Sequence, residues 1–383
     1  MPNPSEFIWQ QADWPKWRWE DNQLQEALAA IHAQRHALSA RLSALDHEHR
    51  GSVAAEFMTR ETVSTSAIEG VKVDPAAARS SIMRRLKLGM APGREWQVTR
   101  QIIGLIDILA ECAANRAPLT HERLKSWHTA LFPDARMGLM PILAGEYRTS
   151  VERMQVVSAT RHGEKVHYEA PPGDRLEAEM ARFLEWFNGA SRKMDPTLRG
   201  CLAHLWFETL HPFEDGNGRI GRAIWDLAMM QGIPQSPENQ ARIWAVSATI
   251  DRRKKDYWDR LEQAQRGTLD VTQWLLYAVN IVAAALRESS VCVERVKQVT
   301  WFWLRHRELP LNERQRKALN LALSGSELDD GWLTNRRYMK LAACNTAVTA
   351  SRDLVQLEQW GILQKDPKAG GRSTRYSIVL SPG

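Results

Sequence analysis

The chain has 383 residues, enough for two or three domains at roughly 150 residues each, and 44% hydrophobic with 25% charged residues is the balance of an ordinary globular protein rather than a disordered or fibrous one. A formal net charge of +6 and a sequence pI near 9.2 favour anionic partners, whether nucleotide, nucleic acid or acidic protein surface. The four cysteines, Cys112, Cys201, Cys292 and Cys344, are too scattered for a metal knuckle, a redox pair or a disulfide framework, and read as reduced thiols. Met1–Trp9 carries Glu6 and no long apolar run, and no stretch approaches 18 uninterrupted apolar residues, so neither a secretory signal nor a membrane span is expected and the protein is expected to be cytoplasmic.

In chain order, Trp9, Trp14, Trp17 and Trp19 around Pro15 predict an extended strip packed onto a larger body; a peptide-binding or dimer surface is the functional alternative. Asp21 to about Asp46 reads as a helix, with Leu24, Leu28, Ile31, Leu38, Leu42 and Leu45 at helical spacing and Asp21 as N-cap. A second helix is expected over Glu56–Ile68, ending at Glu69 with Gly70 in the C′ position, and a third is capped by Asp74 with Pro75 in its first turn. Helical patterns continue over 97–114 and 121–131. The β-prone runs 154–158 and 165–169, on either side of Arg161-His162-Gly163-Glu164, predict a hairpin, after which Asp174 caps a helix reaching about Asn188.

A buried helix is expected over Leu198–Leu210 and another over Arg219–Met230. Between them residues 211–222 read His-Pro-Phe-Glu-Asp-Gly-Asn-Gly-Arg-Ile-Gly-Arg. The glycines Gly216 and Gly218 around Asn217 let backbone N–H groups converge on an anion, and the following helix N-terminus adds partial positive charge. Arg219 and Arg222, three apart, share one helix face and suit phosphate oxygens. Asp215 beside such a cradle is a natural Mg2+ ligand, and the His211 imidazole can take a proton from an attacking hydroxyl. The plain alternative is a tight interhelical turn with a capping histidine and two salt-bridged arginines; for any one residue it serves, for the set the nucleotidyl-transfer reading is preferred.

More helices are expected through 240–307, with a boundary at Leu309-Pro310. Residues 311–383 hold eleven Lys or Arg against seven Asp or Glu. Helices over 313–323, 335–342 and from Asn345 to Trp360, then a basic segment with Lys365, Lys368, Arg372 and Arg375 and a strand at 376–380, give the outline of a winged helix. That module either binds DNA or docks protein; the sequence divides evenly between the two.

The twelve residues 211–222 match, at every fixed position, the signature of Fic-domain proteins, and the chain is similar to bacterial members carrying a Trp-rich N-terminal segment and a C-terminal winged helix. The resemblance implies a mainly α fold: an N-terminal segment 1–54, an all-helical Fic core over 55–310 with a small β-hairpin flap at 154–169, and a winged-helix domain over 311–383. It implies an adenylyltransferase that moves AMP from ATP, with Mg2+, to a Ser, Thr or Tyr hydroxyl of a target protein whose identity the sequence does not give, itself included. His211 would be the base, Asp215 the metal ligand, Gly216, Asn217 and Gly218 the cradle of the α- and β-phosphates with Asn217 and Arg219 as side-chain contacts, and Arg222 the γ-phosphate contact. Phe213 would anchor the loop. Val156, Val157, His167 and Tyr168 of the flap would dock the target segment by strand addition, and Arg148 in Gly145-Glu146-Tyr147-Arg148 would be structural. Thr65-Ser66-Ala67-Ile68-Glu69-Gly70 matches the family's inhibitory pattern, which implies that an inhibitory helix over 56–70 places Glu69 on Arg222 and blocks the productive triphosphate pose. DNA bound through 311–383, a homodimer, and a nucleotide-sensing DNA-binding regulator in place of an enzyme are the further expectations; a membrane partner is not.

Overall fold

The computed structural model describes residues 7–88, 98–138, 140–149, 154–160, 163–233, 242–324 and 331–380. It is mainly helical with small antiparallel sheets. The chain forms two compact units, 1–293 and 294–383.

In the first unit, α1 (Asp21–Ser43) and α2 (His47–Ile68) are separate helices. Asp21 is the first helical residue rather than the cap, and α2 begins about nine residues before the predicted Glu56, because the Asp46 side chain accepts from the His49 N–H. The end of α2 is as predicted: Glu69 is the C-cap and Gly70, at φ 77°, takes the left-handed conformation that stops the helix. Asp74 caps α3 (Pro75–Arg85) through the Ala77 N–H. Then come α4 (Arg100–Ala114), α5 (His121–Leu131), the two-residue strands β1 (Arg136–Met137) and β2 (Met140–Pro141), and the hairpin β3 (Gln155–Thr160) and β4 (Gly163–Glu169). The predicted hairpin turn residues Arg161 and His162 lie outside the described residues. A short 3-10 turn, rather than a cap by Asp174, leads into α6 (Leu176–Asn188).

At the centre are α7 (Pro196–Leu210) and α8 (Asn217–Gln231), which pack along each other. Residues Thr197 to Leu210 of α7 are all buried, so the helix is enclosed on every face although it carries Arg199, His204 and Glu208. Gly200 lets it approach α8: a Cβ there would stand 2.5 Å from the Trp225 ring. Around this pair lie α9 (Val246–Asp251), α10 (Lys254–Gln265) and the start of α11 (Thr272–Arg305). α11 is long and apolar enough to pass for a membrane span, with a mean hydropathy of 1.3; yet 56% of that window is buried, and Trp274, Leu275, Ala278, Val279 and Val282 belong to the core. The tryptophan strip lies on this body: Trp9 donates to the Glu169 carbonyl at 2.8 Å, Trp14 to the Glu179 carboxylate at 3.0 Å, and Trp14 and Trp17 stack edge-on against Trp206. Cys112, Cys201 and Cys292 are buried thiols, and Cys344 is a half-buried one.

The second unit contains α12 (Glu313–Ser324), β5 (Leu333–Thr334), α13 (Asn335–Ala342), α14 (Ala347–Gln359), β6 (Leu363–Lys365) and β7 (Arg375–Ile378), with the sheet ordered β5-β7-β6 and antiparallel throughout. Thr346, not Asn345, caps α14. The units part at 293/294, inside α11 and earlier than the predicted 310/311, because Phe302, with Val299 and Trp303 against it, packs into the core formed by Leu319, Leu341, Leu354 and Ile362.

Candidate active site

The site is the turn from α7 to α8. His211 ends α7 in the left-handed conformation, φ 47° and ψ 57°, and still donates its N–H to the Phe207 carbonyl at 2.9 Å. A non-glycine residue holds that conformation only where its surroundings impose it. Here Arg148 does so. Its Nε donates to the His211 carbonyl at 2.8 Å, its terminal nitrogen to the carbonyls of Pro171 at 2.5 Å and Leu210 at 3.2 Å, and its own N–H to Pro212 at 2.9 Å. The guanidinium thus gathers the orphan carbonyls at the negative end of α7. Burial holds its pKa down at about 10.

The next residues are fastened in turn. Phe213 is fully buried and stacks on His128, with centroids 4.1 Å apart and planes within 5°. His128 Nδ1 accepts the Gly145 N–H, so its Nε2 carries the proton donated to the Asp215 carbonyl at 3.1 Å. Burial pushes the His128 pKa down to about 4, which keeps it in that neutral tautomer. Asn217, expected to contact the nucleotide through its side chain, is only 2% exposed and its amide is used within the loop. It donates to the Phe213 carbonyl at 2.8 Å and accepts the Phe213 N–H at 2.9 Å. The side chain thus shapes the loop from within.

Gly216, at φ 81°, is the N-cap of α8, and a Cβ on it would stand 2.9 Å from the Phe132 ring. The first-turn N–H groups of α8, from Asn217, Gly218 and Arg219, precede the first i−4 bond, from Ile220 to Gly216. Asp215 sits at the rim with its side chain 31% exposed, accepting the Gly216 N–H at 2.6 Å and facing Arg219 at 3.4 Å. The Arg219 guanidinium lies over the Phe132 ring, 5.0 Å from its centroid, and burial lowers its pKa.

Arg222 is buried and fully engaged. Its Nε donates to Thr65 Oγ1 at 2.7 Å, and a terminal nitrogen to the Thr65 carbonyl at 3.2 Å and to Glu69 Oε1 at 2.6 Å. A Cβ on Gly218 would collide with that same Glu69 carboxylate, so Glu69 occupies the mouth of the cradle. Burial pushes the Glu69 pKa up, but Arg222, aided by Arg219 and Lys254, outweighs it and holds the carboxyl below its ordinary value. Gly70 makes its contribution through its backbone alone.

His211 faces this mouth with a side chain 17% exposed. Burial and, secondarily, the Arg148 charge push its pKa down to about 4, so at neutral pH it is a free base. Below it lies a group not foreseen from the sequence: Glu208, whose Oε2 is 4.0 Å from His211 Nδ1, His204, and Tyr257, whose hydroxyl is 2.8 Å from His204 Nε2.

The hairpin's two strands differ. Val156 and Val157 of β3 are 37% and 42% exposed, and no strand lies on the outer edge of β3 among the described residues. β4 is tied down. Tyr168, expected to dock a target, is 1% exposed; its hydroxyl donates to the Thr209 carbonyl at 2.7 Å and its ring meets Phe7 edge-on. His167 Nδ1 is 2.6 Å from Glu262, and Arg266 donates to the carbonyls of His167 and Val166. Tyr168 therefore anchors the flap, and His167 braces it on α10.

Residues 118–229, which hold α5 to α7, the hairpin and the histidine-to-arginine cradle, match the Fic/DOC family model. Residues 7–88, with the tryptophan strip and α1 to α3, match a second model described as a domain of unknown function, DUF4172. The chain is 27% identical over 208 residues to the protein adenylyltransferase Fic of Drosophila willistoni, covering 53% of this chain and 38% of that one. It is 28% identical over 134 residues to a uridine 5'-monophosphate transferase of Xanthomonas campestris, covering 33% of this chain and 24% of that one. It therefore spans well under two thirds of these curated relatives. Among solved structures, a Fic-domain-containing signaling protein from Bacteroides thetaiotaomicron superposes with a TM-score of 0.51 at 17% identity, over 70% of this chain and 98% of that one, a likeness of fold.

Proposed function

We propose that this chain is a protein adenylyltransferase, moving AMP from ATP to a hydroxyl side chain of a protein, and that Glu69 restrains it. The observation that carries the reading is the 2.6 Å pair between Glu69 and Arg222 at the mouth of a cradle whose histidine is a free base. His211 accepts the proton of the target hydroxyl. The oxygen bonds to the α-phosphorus, the bond to the bridging oxygen breaks, and pyrophosphate leaves with the electron pair. The α- and β-phosphates lie on the first-turn N–H groups of α8, with Arg219 beside them, and the γ-phosphate takes Arg222 from Glu69.

The residues suit Mg2+ as it binds in nucleotide sites, with one or two carboxylates and the rest phosphate and water. Asp215 offers a rim carboxylate whose Oδ2 has, among the described residues, a long 3.4 Å contact to Arg219. Bound there, the ion would offset phosphate charge. The target segment adds to the outer edge of β3 beside Val156 and Val157. In the second unit, α14 exposes Val348 and Val355, 69% and 44%, apolar groups that support protein docking over phosphate-backbone contact.

Intact-mass spectrometry of the protein after incubation with ATP and Mg2+, alongside Glu69→Gly and His211→Ala, tests the reading. Adducts in Glu69→Gly that vanish in the double variant support it; adducts surviving His211→Ala refute the assigned base. UTP in parallel tests the nucleotide.

A further inference from the structure

We propose that Glu208 is a positioning residue for the base: its carboxyl backs the His211 imidazole from inside the protein and, when ionised, carries the countercharge as the imidazole accepts the hydroxyl proton. The inference rests on the AMP-transfer reading above for its chemistry and on the following geometry for its location. Glu208 lies one turn before His211 on α7, with Oε2 4.0 Å from Nδ1 and a side chain 8% exposed. Its other oxygen, Oε1, is buried without a hydrogen-bond partner among the described residues. α8 closes on that oxygen because position 221 is glycine: a Cβ on Gly221 would stand 2.6 Å from Glu208 Oε1 and 3.0 Å from His204 Nδ1.

An orphan carboxyl in a core is costly, and a leucine or glutamine would serve packing better. Its surroundings indicate what it does. Arg222 on α8, Glu69 on α2, Tyr257 on α10 and His204 on α7 are the charged or titratable groups around it, while Arg148 acts on His211 as an opposing cation. When His211 takes a proton it becomes a cation in a buried site that already holds Arg148, and Glu208 is the carboxyl at its Nδ1 side. Third groups that orient and offset a base in this way recur in nucleophile activation. Burial pushes the Glu208 pKa up to about 8, Arg222 opposing and Glu69 adding to it. Below that pH the carboxyl is neutral beside a neutral imidazole; above it, the carboxylate makes His211 a stronger base.

The test has two readouts on the full-length protein. In the first, the His211 imidazole resonance, assigned by its loss in His211→Ala, is followed from about pH 5 to 9.5, spanning the raised carboxyl. An inflection near pH 8 is expected, absent in Glu208→Gln and displaced in Glu208→Asp. In the second, transfer by Glu69→Gly is expected to rise about tenfold across the same inflection at unchanged KM for ATP, while Glu69→Gly/Glu208→Gln stays flat. Gly221→Ala, which keeps the carboxyl but pushes it aside, is expected to shift the inflection, and it serves if Glu208→Gln does not fold. An inflection that persists in Glu208→Gln, or an unchanged resonance in both Glu208→Gln and Gly221→Ala, overturns the proposal. If Glu69→Gly transfers no AMP under any condition, the AMP-transfer reading fails while the resonance still decides the pair.

Discussion

Replacing Glu69 separates the two partners that Arg222 can hold. Arg222 meets Glu69 at 2.6 Å and keeps two further contacts to Thr65, at 2.7 and 3.2 Å. A hydrogen bond to a charged group contributes about 1.5–3 kcal/mol, and a Glu69 side chain that is 32% exposed places this one toward the lower end, about 1.5–2 kcal/mol. A triphosphate that must displace Glu69 gives up that much, which at about 1.4 kcal/mol per factor of ten is roughly a ten- to thirtyfold restraint. Glu69→Gly should therefore raise auto-modification by that factor, read as the initial rate of adduct formation by intact-mass spectrometry at subsaturating ATP. The Thr65 contacts should keep Arg222 in place, so the gain should appear without loss of fold in a thermal melt. Because glycine at the C-cap also loosens the end of α2, Glu69→Ala is the control. If Glu69→Gly activates less than about twofold, or if Glu69→Ala does nothing while Glu69→Gly activates, the carboxylate is not the brake and the reasoning fails.

Thr65→Ala removes the acceptor of the Arg222 Nε bond but leaves the Thr65 carbonyl, so partial activation, several-fold below that of Glu69→Gly, and a stability loss of about 1–2 kcal/mol in urea melts are expected. Gly216→Ala forces a side chain into φ 81° and against Phe132; it should cost about 1–2 kcal/mol and abolish ATP binding by calorimetry. Tyr168→Phe should lower stability by about 1 kcal/mol with target KM unchanged, whereas Val157→Asp on the open strand should raise target KM with stability unchanged. Acid should destabilise the protein. His128, His204 and His211 are held down at about 4, 3 and 4 from 6.5, while Glu208 and Asp226 are held up at about 8 and 7, so between pH 6.5 and 4.5 the unfolded chain binds about one proton more and stability falls as pH drops at roughly 1.4 kcal/mol per pH unit in urea melts. Glu208, held up at about 8 from 4.5, acts in the opposite sense, its contribution being lost as pH rises between those values. A stability that is level from pH 6.5 to 4.5 would refute the buried neutral histidines.

What was legible in the sequence is what the chain carries locally. Residues 211–222 hold base, carboxylate, glycines and arginines within one turn and the start of one helix, so their types and spacing are enough to indicate a phosphate site. Helix ends were legible where a single side chain makes them, as at Asp74 and Gly70, and missed where capping competes among neighbours, as at Asp46 and Thr346. The hairpin pattern located two strands, but a lone two-residue period does not say which face meets the body, and Tyr168 went to the wrong side of that choice. Asn217 carries a related ambiguity: an amide can serve a ligand or its own loop, and here it bonds the Phe213 N–H and carbonyl. Arg148, 63 residues before His211, was anticipated only through resemblance, while His128 acts on the loop from 87 residues away and Glu208 from inside a helix buried on every side, where no periodicity marks one residue from the next.

The pairing of Glu69 with Arg222 spans 153 residues and joins two separately recognisable stretches of chain, α2 within residues 7–88 and the cradle within 118–229. No spacing rule reaches across that distance; the pair was anticipated only through resemblance. Its physical basis is nonetheless compact. α2 contributes a hydroxyl, a carbonyl and a carboxylate from one turn, Thr65 to Glu69, and all three converge on one guanidinium. On the proposed AMP-transfer reading, two of the three would hold Arg222 for a phosphate and only the third would compete with it. Such a helix would both build the nucleotide site and close it, so removing Glu69 alone should open the site, whereas displacing the whole of α2 should dismantle it.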